Sequence, residues 1–195
     1  MKILVVSDVE NKYIWDFFDK SKFNDIDCVI SCGDLKSSYL SFLVTMLAVP
    51  VFYVHGNHDK NYVYDPPEGC DCIEDTVINF KGVRIAGLGG SIEYNGGTFQ
   101  YTEEKMKKRV KKLIKICKSP IDILVTHSPT YELGDEPESQ CHMGFKSFYS
   151  LYEQLKPTYH LYGHVHFTYS INVKRSMSYN DIKLINGYNY YILEI

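Results

Sequence analysis

The chain has 195 residues, 45% of them hydrophobic and 23% charged, with a formal net charge of −3. This fits one globular domain over residues 1–195 with a real core, and the small net charge gives no global bias toward nucleic acid or acidic lipid. No apolar run approaches the ~18 residues that span a bilayer. The run Ile3 to Val6 is too short for a signal peptide, so a cytoplasmic location with six reduced thiols is expected.

The first third reads strand, helix, strand, helix, strand. Lys2 to Ser7 is a continuous apolar strand, and Tyr13 to Lys20 places Ile14, Phe17 and Phe18 at helical spacing. Cys28 to Ser31 is a short buried strand. Ser37 to Leu47 is a helix, capped by Ser37 or Ser38, with Leu40, Leu43, Val44 and Leu47 on one face. Val51 to Val54 is a third strand. Short connections make this a parallel βαβ arrangement with right-handed crossovers.

Residues 61–76 read as an irregular loop, and Val77 to Phe80 with Val83 to Leu88 as a hairpin turning at Lys81-Gly82. Thr102 caps the clearest helix, whose buried stripe is Met106, Val110, Leu113, Ile114 and Cys117. Its other face, including Arg109 and six lysines, reads as solvated because no aromatics interleave. Ile121 to Thr126 is another buried strand. A long loop, 128–144, precedes a helix marked by Phe145, Phe148, Tyr152 and Leu155. Tyr159 to Tyr162 is a strand, and the tail alternates strand-like segments at Tyr169 to Val173, Ile182 to Ile185 and Tyr190 to Ile195, suggesting a second, antiparallel sheet.

Five apolar runs end in metal-type ligands: Ser7-Asp8-Val9-Glu10, Gly33-Asp34, Gly56-Asn57-His58-Asp59, Thr126-His127-Ser128 and Gly163-His164-Val165-His166. Active sites of open α/β sheets lie at such strand ends. A carboxylate bridges two cations through its two oxygens, and neutral imidazole suits manganese, iron, nickel or zinc. Two metals roughly 3.5–4 Å apart lower the pKa of a shared water, and the bridging hydroxide attacks phosphorus. In an extended strand His164 and His166 point to one side. His55 and His160, lacking such partners, read as structural.

With these motifs the chain resembles the calcineurin-like metallophosphoesterases, in particular compact members without insert domains. Their pattern is D-x-H, G-D, G-N-H-[DE], a later H and G-H-x-H. The stretch Thr126-His127-Ser128-Pro129, then Asp135 and His142-Met143-Gly144, is similar to a short subfamily with a T-H-x-P loop. The resemblance implies an α/β fold, a four-layer αββα sandwich of two mixed β-sheets flanked by helices. It implies one divalent metal on Asp8, residue 10, Asp34 and His166, and a second on Asp34, Asn57, His127 and His164, with Asp34 bridging. It implies that Asn57 and His58 contact the substrate, that His58 protonates the leaving oxygen, and that Asp59 orients His58.

The pattern is broken at Glu10, where the family has His. The expectation is that Glu10 still ligates, giving a site of three carboxylates and one imidazole that favours manganese or iron over zinc. The added charge favours monoanionic diesters over dianionic monoesters. Gly33-Asp34-Leu35-Lys36-Ser37 also lacks the supporting Asp of the phosphoprotein-phosphatase branch. The expected function is hydrolysis of a small phosphodiester, with a phosphomonoesterase, a nuclease and a non-catalytic scaffold on the same fold as alternatives.

Overall fold

The computed structural model describes residues 1–167 and 174–195. In chain order its elements are β1 (Lys2–Ser7), α1 (Lys12–Trp15), β2 (Cys28–Ser31), α2 (Ser37–Leu47), β3 (Val51–Tyr53), β4 (Asp71–Cys72), β5 (Thr76–Phe80), β6 (Val83–Leu88), β7 (Ser91–Ile92) and β8 (Gln100–Tyr101). There follow α3 (Glu103–Cys117), β9 (Ile123–Thr126), α4 (Tyr149–Leu155), β10 (Tyr159–Tyr162), β11 (Ser176–Tyr179), β12 (Ile182–Asn186) and β13 (Asn189–Glu194).

Two mixed sheets stack face to face. The first has the order β13-β1-β2-β3-β4, with β1 to β4 parallel and β13 antiparallel to β1. The second has the order β11-β12-β10-β9-β6-β5, parallel from β12 to β6 and antiparallel at both edges. Strand periodicity explains the layering. In β1, Ile3 and Val5 enter a core between the sheets with Ile30, Ile123, Val125 and Leu161, while Leu4 and Val6 face an outer core with α2. A third core lies between the second sheet and helices α3 and α4. Three cores between four layers make an αββα sandwich, and β1 is apolar throughout because both its faces are covered.

Several local expectations are corrected. The helix expected over Tyr13 to Lys20 stops at Trp15, and a 3-10 turn follows over Lys20–Phe23. Phe17 is exposed, while Phe18 stacks on Phe23, which the turn brings into the outer core. The α2 cap position is Lys36, without a side-chain bond, because Ser37 donates its hydroxyl to Asp65 instead. The 61–76 stretch contains β4, which extends the first sheet. The tail is not a separate antiparallel sheet: β12 runs parallel to β10, and β13 returns to β1. The strand expected at Tyr169 to Val173 lies outside the described residues. Thr102 does cap α3, accepting from the Lys105 amide at 3.2 Å. All six cysteines are free thiols, and no helix among the described residues is long and apolar enough to cross a membrane.

Candidate metal centre

The carboxyl ends of β1, β2 and β3 meet those of β9 and β10 at one rim of the sandwich. Asp8, Asp34, Asn57, His58, His127, His164 and His166 all lie just beyond these strands. Glycines set how closely the loops approach. A Cβ on Gly33 would fall 2.4 Å from the Gly56 nitrogen. One on Gly56 would fall 2.0 Å from Asp34 Oδ1, and one on Gly163 2.0 Å from Ser7 Oγ. Each glycine preceding a ligand leaves room for the next loop. Asp8, Asp34 and His164 take left-handed backbone, with φ of 66°, 57° and 70°, so the chain turns sharply at three candidate ligands.

Asp34 is the hub. Its Oδ1 accepts the His58 amide at 2.7 Å, and its Oδ2 lies 3.3 Å from His127 Nε2 and 4.0 Å from His58 Nε2. His127 is fully buried, and its Nε2 also lies 2.9 Å from Asn57 Oδ1. Ligand atoms of Asp34, His127 and His164 all fall within 4.8 Å of one another. Asp8 accepts the His164 amide at 3.0 Å and lies 3.4 Å from His166 Nε2.

The donor set fits cations. His127 Nδ1 is 2.7 Å from the Cys32 carbonyl and His164 Nε2 is 2.6 Å from the Cys141 carbonyl. Such a carbonyl takes one N–H and fixes the tautomer, leaving the other nitrogen to face the cluster. Burial pushes His127 toward the neutral form, yet Asp34 outweighs it and raises the group to about 9. Burial likewise opposes ionisation of Asp34, but His127 and the His58 amide hold it down at about 2. Burial keeps His164 neutral, lowering it to about 3. Ionised Asp34 and neutral His164 are in the protonation states metal ligands need, whereas His127, held cationic by Asp34, would release its proton on binding a cation.

The model of the calcineurin-like phosphoesterase family matches residues 1–167. The chain belongs to that family. Solved structures share its fold at low identity. One matches with a TM-score of 0.71 at 15% identity, covering 98% of this chain and 94% of the other. TT1561 of Thermus thermophilus matches at 0.62 and 17% identity, over 96% and 89%. GAP50, titled the anchor in the inner membrane complex of Plasmodium, matches at 0.52 and 14% identity, over 95% and 70%. No curated protein sequence matches the chain.

Two residues of this calcineurin-like chain have partners other than those expected. Asp59 does not reach the His58 ring in any described contact. Its Oδ2 accepts the Gly56 and Asp34 amides at 2.7 and 2.9 Å, tying two ligand loops together. Burial and the Asp34 charge raise its carboxyl to about 7. Glu10 is not brought into the Asp34 cluster. It turns toward α2, where its Oε1 accepts the Lys36 amide at 3.0 Å and its Oε2 lies 3.8 Å from Lys36 Nζ.

Two features had no clear sequence signal, and a third, His142, was marked only by the His142-Met143-Gly144 stretch. Tyr94 accepts from Asn57 Nδ2 at 3.2 Å, which directs Asn57 Oδ1 toward His127. Glu74 lies 2.5 Å from His55 Nδ1 while also receiving Arg109 Nη2 at 2.5 Å, and Arg109 Nη1 donates to the Gly89 carbonyl at 2.8 Å. This brace supports the segment leading to Asn57. His55, Cys72 and Glu74 have the spacing of a metal site, but both Glu74 oxygens are taken by cationic partners. His142 lines the cavity beside His164, with its Nδ1 2.9 Å from Glu136.

Proposed function

We propose that the chain is a dinuclear-metal-dependent hydrolase of small phosphodiesters. The observation that carries this reading is the convergence on Asp34, at the end of a first-sheet strand, of two buried imidazoles from the second sheet, His127 and His164, each with one ring nitrogen held by a backbone carbonyl. One cation would be held by Asp8, Asp34 and His166, the other by Asp34, Asn57, His127 and His164. Glu10, engaged by Lys36, stays outside this set. Two bound divalent cations would supply Lewis acidity and an activated water. The carboxylates Asp8 and Asp34 suit manganese, and the three imidazoles suit iron, nickel or zinc.

The chain's own residues do the rest. Tyr94 holds Asn57 in its ligating orientation, and Asp59 keeps the two ligand loops in register. His58 stands at the mouth with 73% of its side chain exposed, where it meets the substrate. In the hydrolysis, water oxygen forms a bond to phosphorus, the bond to the alcohol oxygen breaks, and His58 delivers the proton that oxygen needs. Asp8, Asp34 and nearby Glu10 penalise a dianionic monoester relative to a monoanionic diester.

The test is a manganese-supplemented comparison of bis(p-nitrophenyl) phosphate with p-nitrophenyl phosphate, with bound metal measured on the same samples. Two metal equivalents per chain, diester preference, and loss of both metal and activity in Asp34→Asn are expected. Monoester preference would replace the diesterase reading, and absence of metal binding would overturn it.

A further inference from the structure

Two cavities meet at the metal centre. The first, about 400 Å³, is lined by Asp8, Asn57, Tyr94, His164 and His166 among others. The second, also about 400 Å³, opens between the start of α2 and the 3-10 turn Asp59–Val63. Among the described residues, Asp34 and His58 line both and no other residue does.

We propose that the second cavity receives the leaving group and selects an uncharged, polyhydroxylated alcohol of glycerol or single-sugar size. This rests on the phosphodiesterase reading above. In an in-line displacement the attacking and departing oxygens lie on opposite sides of phosphorus. A phosphate seated on the ligands of the first cavity therefore directs its departing oxygen past the shared wall, toward His58. The alcohol behind that oxygen enters the second cavity.

The lining decides what kind of alcohol fits. Its walls carry Glu10, Lys36, Ser37, Ser38, Asn61 and Asp65, alternating hydrogen-bond acceptors and donors. Glu10 faces Lys36 at 3.8 Å, and Asp65 accepts a hydrogen bond from Ser37 at 3.0 Å while keeping its negative charge. A second anionic group on the substrate would meet Glu10 and Asp65. An alkyl chain would leave six polar groups without the partners that water gave them. Leu35 and Tyr62 form an apolar floor, matching the C–H face of a polyol. Tyr62 is buried and its hydroxyl is spent on the Leu35 carbonyl, so no open ring is offered for stacking a nucleobase.

Glu10 belongs to this argument. The carboxylate that departs from the family pattern stands at the start of the second cavity, held by the Lys36 amide through one oxygen. The other is an acceptor for a substrate hydroxyl.

The test compares glyceryl methyl phosphate with propyl methyl phosphate, which differ only in two hydroxyls, following alcohol release by NMR in the manganese-loaded protein. A preference of about tenfold in kcat/KM for the glyceryl ester is expected, the worth of one or two hydrogen bonds. Asn61→Ala and Glu10→Gln, each checked for folding by circular dichroism, should bring the ratio below about threefold. The Asn61 side-chain amide resonances should shift on titration with the glyceryl ester and stay in place with the propyl ester. Equal rates, or a preference for choline methyl phosphate, would overturn the proposal while leaving the diesterase reading intact. If no diester is hydrolysed, bis(p-nitrophenyl) phosphate included, the diesterase reading fails, and the proposal fails with it.

Discussion

Arg109 offers the sharpest test of how this fold is braced. It sits on α3 among lysines, yet its side chain is only 14% exposed. It reaches Glu74, Asp75 and the Gly89 carbonyl, and its guanidinium stacks 4.3 Å over Tyr101. Replacing it with methionine leaves Glu74, 11% exposed, with His55 as its remaining cationic partner and strands the Gly89 carbonyl. Removing one partner of a buried ion pair costs about 3–5 kcal/mol. At about 2–4 °C per kcal/mol for a domain of this size, Arg109→Met should lower Tm by roughly 12 °C. Lys112→Met on the exposed face of the same helix should change stability by less than about 0.5 kcal/mol. Differential scanning calorimetry on both variants measures the contrast. A fall of less than about 3 °C for Arg109→Met would refute the buried brace, since a merely solvated arginine costs that little.

Two further outcomes follow from the geometry. His160 is fully buried between Thr126 Oγ1 and Tyr152 OH, and burial lowers it from 6.5 to about 3. The unfolded chain therefore takes up this proton below about pH 6.5 while the folded chain does not, so stability is complete above that pH and falls as pH drops toward 3. Urea titrations at pH 7, 5.5 and 4.5 with a chelator present should show wild type losing stability more steeply than His160→Gln, by up to about 1.4 kcal/mol per pH unit; parallel curves would count against it. Gly56→Ala would drive a Cβ into Asp34 Oδ1, so manganese affinity should fall by at least about tenfold, read by isothermal titration calorimetry. Unchanged affinity would mean the loops relax freely.

Much of the site was legible because strand ends carry strong signals. An apolar run that stops at Gly-Asp or Gly-Asn-His announces both the sheet and the rim where it ends, and the candidate ligands Asp34, His127 and His164 come within reach of one another there. What escaped depended on pairings far apart in sequence. Arg109 is indistinguishable from its lysine neighbours until Glu74, 35 residues away, is placed beside it. Asp59 read as a partner for adjacent His58, but its oxygen reaches backbone amides of two loops instead. Glu10 occupies a ligand's place in the chain, and only the fold reveals Lys36 as its partner. Two-residue strands such as β4 and β7 are too short to show any alternation.

With cations bound as proposed, the left-handed turns at Asp8, Asp34 and His164 would tie this protein's durability to its metal supply. Each costs of order 1–2 kcal/mol in a side-chain-bearing residue. Cations that bind only the folded arrangement return that energy by mass action. A cell short of the metal would hold a population whose sheet rim opens more often, exposing it to proteases. Turnover of the chain would then rise and fall with divalent-ion availability, independently of how much substrate is present.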